Sequence, residues 1–134
     1  MSEGLLYLDS SAIVKLVLPE PETEALFDLL GNYPERVTSA LARVEVLRAV
    51  RRAGEDESML QRAEEVLSRF GLIRIDTDVL KAAARLEPGS LRALDAIHLA
   101  TALSLGDQLS GMAVYDTRLT EAAKASGLKV LAPV

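Results

Sequence analysis

Four acidic residues of this chain lie among apolar neighbours, where a solvated charge is not expected. Asp9 and Asp116 each end a short apolar run, and Glu45 and Asp95 each interrupt one. A buried carboxylate costs free energy unless it is paired with a cation, hydrogen-bonded or bound to a metal. One such residue has many ordinary explanations, but four of them in 134 residues indicate a shared site for a hard cation.

The composition restricts the metals that such a site can bind. The chain has no cysteine and one histidine, His98, which excludes zinc–thiolate and multi-histidine sites. The remaining ligands are carboxylate oxygens, which favour magnesium or manganese over zinc or copper. We therefore expect Mg²⁺ or Mn²⁺ as the cofactor.

Each of the four carboxylates also has an ordinary explanation, which the sequence leaves open. An aspartate that follows a strand can cap the next helix, and an acid one turn from an arginine can form a weak surface ion pair. The alternatives are caps for Asp9 and Asp116, and the pairs Glu45–Arg48 and Asp95–Arg92.

Two of the candidate groups share a helix. Asp95 and His98 lie at helical spacing with Leu91, Ala102 and Leu105, so Asp95 falls on a mostly apolar face. We interpret His98 as a packed helix residue and not as a metal ligand.

Three arginines follow Glu45 on one predicted helix. Arg48, Arg51 and Arg52 are either a solvated face or a basic rim that binds the phosphates of a nucleic-acid strand. The net charge of −5 argues against a nucleic-acid partner when taken alone. Net charge says little about local fields, however, and arginine, whose guanidinium suits phosphate, outnumbers lysine 11 to 4.

The elements that must position these residues alternate between strand and helix. Strands are predicted at 5–9, 36–38, 72–75, 111–115 and 128–131, and helices at 11–18, 21–30, 39–53, 56–70, 78–86, 91–105 and 117–125. Ser10 and Ser90 are predicted helix N-caps, as are Thr38 or Ser39 and Asp76 or Thr77. This pattern predicts an α/β fold with a parallel sheet covered on both faces. Asp9 and Asp116, as the last residues of their strands, would then lie at the carboxyl edge, where sites form in such sheets.

Length and composition predict one globular domain over residues 1–134, since 49% of the residues are apolar. No apolar run is long enough for a membrane span, and the first residues lack the basic region of a signal peptide. We therefore expect no membrane association and a cytoplasmic location.

Four segments of the chain resemble the PIN-domain ribonucleases, and most closely the VapC-type toxins. They are LYLDSSAIVKL at 6–16, TSALARVEV at 38–46, LDAIHLATA at 94–102 and VYDTRL at 114–119. The resemblance implies a three-layer α/β/α sandwich with a short-stranded, mostly parallel central sheet. It also implies a divalent-metal site, RNA as the substrate, a small antitoxin partner and a homodimer. Ser10 stands where threonine is common in the family, and Tyr115 precedes the last acid, but both departures leave the carboxylates in place.

This resemblance suggests a role for each candidate residue. Asp9 and Asp95 would be direct metal ligands, and Asp116 would complete the site directly or through water. Glu45 would hold a metal-bound water or act as the general base, and Ser10 would position a water or simply cap its helix. The competing interpretations are a non-catalytic PIN-like RNA- or protein-binding module and a receiver-like phosphoacceptor domain. A receiver needs an acid beside Asp9 and a lysine after the late strand, and the sequence has neither.

Overall fold

Short strands alternate with longer, mostly amphipathic helices in this protein. The computed structural model describes residues 4–134. Its strands are β1 (Leu5–Leu8), β2 (Glu35–Ser39), β3 (Gly71–Ile73), β4 (Leu109–Ala113) and β5 (Val130–Leu131). Its helices are α1 (Ser10–Val17), α2 (Thr23–Leu30), α3 (Ala42–Arg52), α4 (Glu57–Leu67), α5 (Thr77–Ala84), α6 (Ala93–Leu103) and α7 (Thr117–Ala125). The predicted order of strands and helices is confirmed, and the 3₁₀ turn Gly106–Gln108 before β4 was not predicted.

The five strands form one parallel sheet in the order β3-β2-β1-β4-β5. The apolar strand β1 is central, as expected for a strand buried on both faces. Its side chains alternate between the two faces. Leu6 and Leu8 belong to one core cluster, and Tyr7 belongs to the other.

Helices cover both faces of the sheet and produce two cores. The first core joins α1, α2, α3 and α4 to one face, and the second joins α6 and α7 to the opposite face. This arrangement confirms the predicted α/β/α sandwich. No helix in the described part of the chain is long and apolar enough to cross a membrane.

Aspartates, and not the predicted serines, cap several helices. Each accepts a hydrogen bond from the backbone N–H three residues later, and the capping residues are Asp9, Asp56, Asp76 and Asp116. The prediction of Asp76 or Thr77 as a cap is therefore confirmed for Asp76. The predictions for Ser10 and Ser90 are wrong, because Ser10 lies inside α1 and α6 begins only after Arg92.

Most element boundaries differ from the prediction by one to three residues, and two of these differences affect Asp95 and Asp116. Helix α6 begins at Ala93 because the preceding residues form a turn, closed by a hydrogen bond from the Leu91 N–H to the Pro88 carbonyl. Strand β4 ends at Ala113, opposite Leu8 at the end of its neighbour β1. Asp95 is therefore in a first helical turn, and Asp116 is outside the sheet.

Candidate active site

All four predicted carboxylates lie at helix N-termini. Asp9 and Asp116 are the N-caps of α1 and α7, and Glu45 and Asp95 lie in the first turns of α3 and α6. The prediction that Asp9 and Asp116 are the last residues of their strands is wrong, because β1 ends at Leu8 and β4 at Ala113. Glu45 and Asp95 lie nearer the starts of their helices than the predicted ranges implied, because α3 and α6 begin later. Helix N-termini stabilise anions through the helix dipole and free N–H groups. The fold therefore reduces the cost of these charges before any cation is considered.

Asp9 is a helix cap, as one alternative proposed, and it is also buried. Its side chain is 4% exposed, Oδ1 accepts from the Ala12 N–H at 3.1 Å, and Oδ2 accepts from the Ser11 hydroxyl at 2.9 Å. Burial raises the pKa of Asp9, and His98 with these hydrogen bonds offsets only part of that effect. A carboxylate has about four acceptor positions, so capping leaves Asp9 free to bind a cation as well.

Glu45 is held by a group of hydrogen bonds that joins three helices. Its Oε1 accepts from the Ser10 hydroxyl at 2.6 Å and lies 2.7 Å from His98 Nε2. Ser10 Oγ is itself 3.1 Å from that nitrogen. Burial acts to raise the pKa of Glu45, but the hydrogen bonds from His98 and Ser10 outweigh it and the pKa is lowered overall.

These contacts replace two expectations from the sequence. Glu45 pairs with His98 and not with Arg48, because His98 reaches it from α6 on the opposite face of the sheet. His98 is packed, as predicted, at 2% exposure, but its ring also bonds Glu45, Ser10 and Tyr7. Local spacing along one helix cannot reveal such contacts.

Asp95 and Asp116 face each other across an open cleft. The cleft has a volume of about 230 Å³ and is lined by Leu91, Arg92, Asp95, Asp116, Thr117 and Arg118. Burial, followed by the negative charge of Asp116, raises the pKa of Asp95. Among the described residues, Asp95 forms no ion pair with Arg92 within 4.0 Å, so the surface-pair alternative is not supported. Asp116 accepts a hydrogen bond from the Leu119 N–H at 2.9 Å and is a cap, as its alternative proposed.

The three arginines of the proposed rim do not share one surface. Arg48 and Arg51 line a separate groove of about 580 Å³ between α3 and α4, together with Val44 and Leu60. Arg52 remains near the acids, since its charge contributes to the lowered pKa of Glu45 after burial and the bonds from His98 and Ser10. Arg92 and Arg118, which sequence reasoning did not treat as site residues, line the acidic cleft instead. Their spacing was a usable signal, because each is within three residues of a candidate acid.

The chemistry of these donors fits a hard divalent cation. The acids are electrostatically coupled, since the charges of Asp116 and Glu45 add to the effect of burial in raising the pKa of Asp95. A bound cation would relieve this repulsion. Within residues 4–134, however, no three His, Asp or Glu side chains form a group that could hold a metal ion. The four carboxylates therefore lie in one region of the molecule, but no three of them converge on a single metal position.

Known proteins share both the sequence and the fold. The sequence model of the PIN domain matches residues 6–125. Ribonuclease VapC46 of Mycobacterium tuberculosis is 49% identical over 128 residues, covering 96% of this chain and 97% of the relative. The crystal structure of the sarcin-ricin loop cleaving toxin VapC20 of M. tuberculosis has a TM-score of 0.74 at 17% identity and covers 96% of this chain and 99% of that one. A toxin–antitoxin complex from Klebsiella pneumoniae gives 0.72 at 23% identity, covering 96% and 98%.

The chain belongs to the PIN-domain family and, within it, to the VapC-type ribonucleases. Membership of this family excludes the alternative of a receiver-like phosphoacceptor domain. Nucleases of this family depend on divalent metal ions in general.

Proposed function

We infer that this chain is a divalent-metal-dependent endoribonuclease that hydrolyses RNA phosphodiester bonds as the toxin of a toxin–antitoxin pair. The observation that carries this function is the gathering of Asp9, Glu45, Asp95 and Asp116 at four helix N-termini. The gathered carboxylates occur in a chain that is 49% identical to a ribonuclease over nearly its whole length.

Asp9, Asp95 and Asp116 would hold Mg²⁺ or Mn²⁺. When bound, the cation would lower the pKa of water and neutralise charge on the phosphate. The carboxylates would fix the position of the cation, because the Asp9 and Asp116 side chains are already immobilised as helix caps.

Glu45 is the proposed general base. Its lowered pKa keeps it ionised at neutral pH, so it can accept a proton from the attacking water. The water oxygen would then form the new bond to phosphorus as the bond to the 3′ oxygen breaks. The products would carry a 5′-phosphate and a 3′-hydroxyl, and the reaction does not use the RNA 2′-hydroxyl.

Arginines at the cleft would bind the substrate backbone. Arg92 and Arg118 are both exposed and line the cleft that contains Asp95 and Asp116. Each can contact a phosphate next to the scissile one. Arg52 remains a candidate at the Glu45 side, and Ser10 contributes by holding Glu45. The sequence predicted that Arg48 and Arg51 contact RNA, and this stays a prediction. Their position in the α3–α4 groove does not favour such a contact.

The proposal also includes an antitoxin, a homodimer and a cytoplasmic location. A toxin–antitoxin complex of the same fold supports the first of these, and an enzyme that cuts cellular RNA would meet its substrate in the cytoplasm. We expect a small open reading frame for the antitoxin next to this gene, and its co-expression should restore the growth of cells that express the toxin. Sedimentation of the purified chain should give the mass of two copies, and a monomer at micromolar concentration would contradict the dimer.

The central test is cleavage of a fluorescent RNA with and without metal. EDTA should abolish cleavage, and Mg²⁺ or Mn²⁺ should restore it, while the Asp95→Asn variant should stay inactive under all three conditions. Full activity in EDTA would exclude the metal mechanism. Metal-independent RNA binding without any cleavage would instead support the non-catalytic binding module.

A further inference from the structure

A chain of buried hydrogen bonds leads from the central strand to the proposed general base. The Tyr7 hydroxyl lies 2.6 Å from His98 Nδ1, and His98 Nε2 lies 2.7 Å from Glu45 Oε1. Tyr7 and His98 are 0% and 2% exposed. The proposed metal ligands are not part of this series of hydrogen bonds. The roles assigned above leave Tyr7 and His98 without a function.

The chemistry of the two ends determines where the protons lie. An ionised carboxylate can only accept hydrogen bonds, so His98 Nε2 must donate to Glu45. In a neutral imidazole the other nitrogen, Nδ1, is then an acceptor, and Tyr7 supplies its hydroxyl proton. A tyrosine hydroxyl is protonated at neutral pH, since its ordinary pKa is about 10. The donors therefore run in one direction, from Tyr7 to His98 to Glu45.

The contacts fix one oxygen of Glu45 and leave the other available. Both Ser10 and His98 bond Oε1. Among the described residues, Oε2 accepts no side-chain hydrogen bond, and a quarter of the side chain is exposed. A general base needs this combination, because its position must be set while one oxygen can still reach water.

The four residues come from four different elements. Tyr7 is in β1, Ser10 in α1, Glu45 in α3 and His98 in α6. Because Tyr7 and His98 lie on the α6 face of the sheet and Glu45 approaches from the α3 side, the imidazole connects the two layers at the sheet edge. The position of Glu45 is then tied to the core of the molecule and not to its exposed helix alone.

We propose that Tyr7 and His98 are positioning residues that hold Glu45 by Oε1 so that Oε2 faces the reacting water. The role of Glu45 in this proposal depends on the ribonuclease function inferred above. The hydrogen-bonded chain does not depend on that function, so the two can be tested separately.

The first experiment reads the proton positions without measuring activity. His98 is the only histidine in the sequence, so ¹⁵N-labelled, tag-free protein gives a single set of imidazole signals. At pH 7.5 we expect a proton on Nε2 and none on Nδ1, and a changed Nε2 signal in Glu45→Gln. A ring protonated only at Nδ1 would overturn the proposal, because Nε2 could not then donate to Glu45. This result stands even if the wild-type protein cleaves no RNA, which would reject only the inferred function.

The second experiment separates positioning from stability. His98→Leu removes the donor, whereas His98→Gln carries an amide nitrogen near the position of Nε2. His98→Leu should lower kcat by about 10- to 100-fold with KM for RNA within about twofold, since a displaced general base affects the chemical step. His98→Gln should recover most of that loss. Tyr7→Phe, which removes one hydroxyl and keeps the ring, should cost about threefold in kcat.

A buried residue in the other core provides the control. Leu67→Ala on α4 creates a cavity in the first core, outside the hydrogen-bonded chain of Tyr7, His98 and Glu45, and it should lower the melting temperature without lowering kcat at a temperature where it is folded. Equal kcat values for His98→Leu and the wild type would overturn the proposal. So would a His98→Gln variant no more active than His98→Leu. If His98→Leu does not fold, an unchanged kcat in Tyr7→Phe would overturn it in the same way.

Discussion

The acidic site has two halves that differ in burial and in hydrogen bonding. The closed half contains Asp9, Ser10, Glu45 and His98, which are hydrogen-bonded to one another or to the backbone and are largely buried. The open half contains Asp95 and Asp116, which line a cleft beside two exposed arginines. Asp95 has no hydrogen-bond donor among the described side chains, and the charge of Asp116 adds to burial in raising its pKa.

This difference separates two ways of preparing a site for chemistry. In the closed half, protein donors already stabilise the charges, so the geometry is set before any ligand binds. In the open half, no Lys, Arg or His side chain among residues 4–134 forms an ion pair with Asp95 or Asp116, and a bound metal would relieve their repulsion. Apart from the proposed metal ligand Asp9, substitutions in the closed half should therefore disturb the fold or the chemical step. Substitutions in the open half should affect metal and RNA binding.

The largest expected effect comes from Asp95→Asn in the open half. The rate of RNA cleavage should fall by about 10²- to 10³-fold, because the substitution removes a carboxylate charge that binds the metal and so helps to stabilise the transition state. In EDTA the melting temperature should stay the same or rise, since the substitution removes an unfavourable charge. Asp76→Asn is the matched control, because Asp76 caps α5 outside the site. A large loss of melting temperature in metal-free buffer would assign Asp95 a structural role.

A second prediction concerns the arginines of the open half. Arg92→Ala with Arg118→Ala should weaken RNA binding and lower the salt dependence of binding by about one unit of slope per lost phosphate contact. The single-turnover rate at saturating RNA should change little. Arg48→Ala with Arg51→Ala removes the same charge from the α3–α4 groove and should leave RNA binding unchanged. Equal losses from the two pairs would restore the rim predicted from the sequence.

A pair of substitutions can separate the two proposed roles of Asp116, which are helix capping and metal binding. Asp116→Asn keeps a good N-cap and should be nearly as stable as the wild type, whereas Asp116→Ala should lose about 1 kcal/mol of unfolding free energy. Both variants should lose cleavage if the charge binds the metal. Urea unfolding of the two proteins in EDTA measures the first effect, and the RNA assay measures the second. Normal cleavage by Asp116→Asn would limit this residue to capping.

The smallest expected effect is a pH dependence of the Asp95→Asn stability difference. Burial, and then the charge of Asp116, raises the folded pKa of Asp95 from its ordinary value, so the charged form is destabilising at neutral pH. As the pH falls through the folded pKa, Asp95 takes up a proton and this destabilisation disappears. In EDTA, the advantage of Asp95→Asn at pH 7 should therefore decrease as the pH falls towards the ordinary pKa of aspartate, about 3.9. An advantage that grows on acidification would contradict the raised pKa.

The sequence alone determined the order of strands and helices and the four acids of the site. Periodicity and turn residues are local, and they indicated five strands and seven helices in an order that the structure confirms. A carboxylate in an apolar segment is also a local signal. Asp9, Glu45, Asp95 and Asp116 could therefore be selected before any contact was known.

Only the tertiary structure decided how these groups are connected. Ser10 was predicted to be a cap but bonds Glu45, 35 positions away, because Asp9 already caps α1. The contact between Tyr7 and His98 joins residues 91 positions apart, and no pattern along one helix or strand encodes such a pairing. The arginines separate for a similar reason, because neighbours on one helix face different elements once α4 packs beside α3. Local propensity sets which residues lie at helix ends, whereas the packing of the layers sets which of them meet.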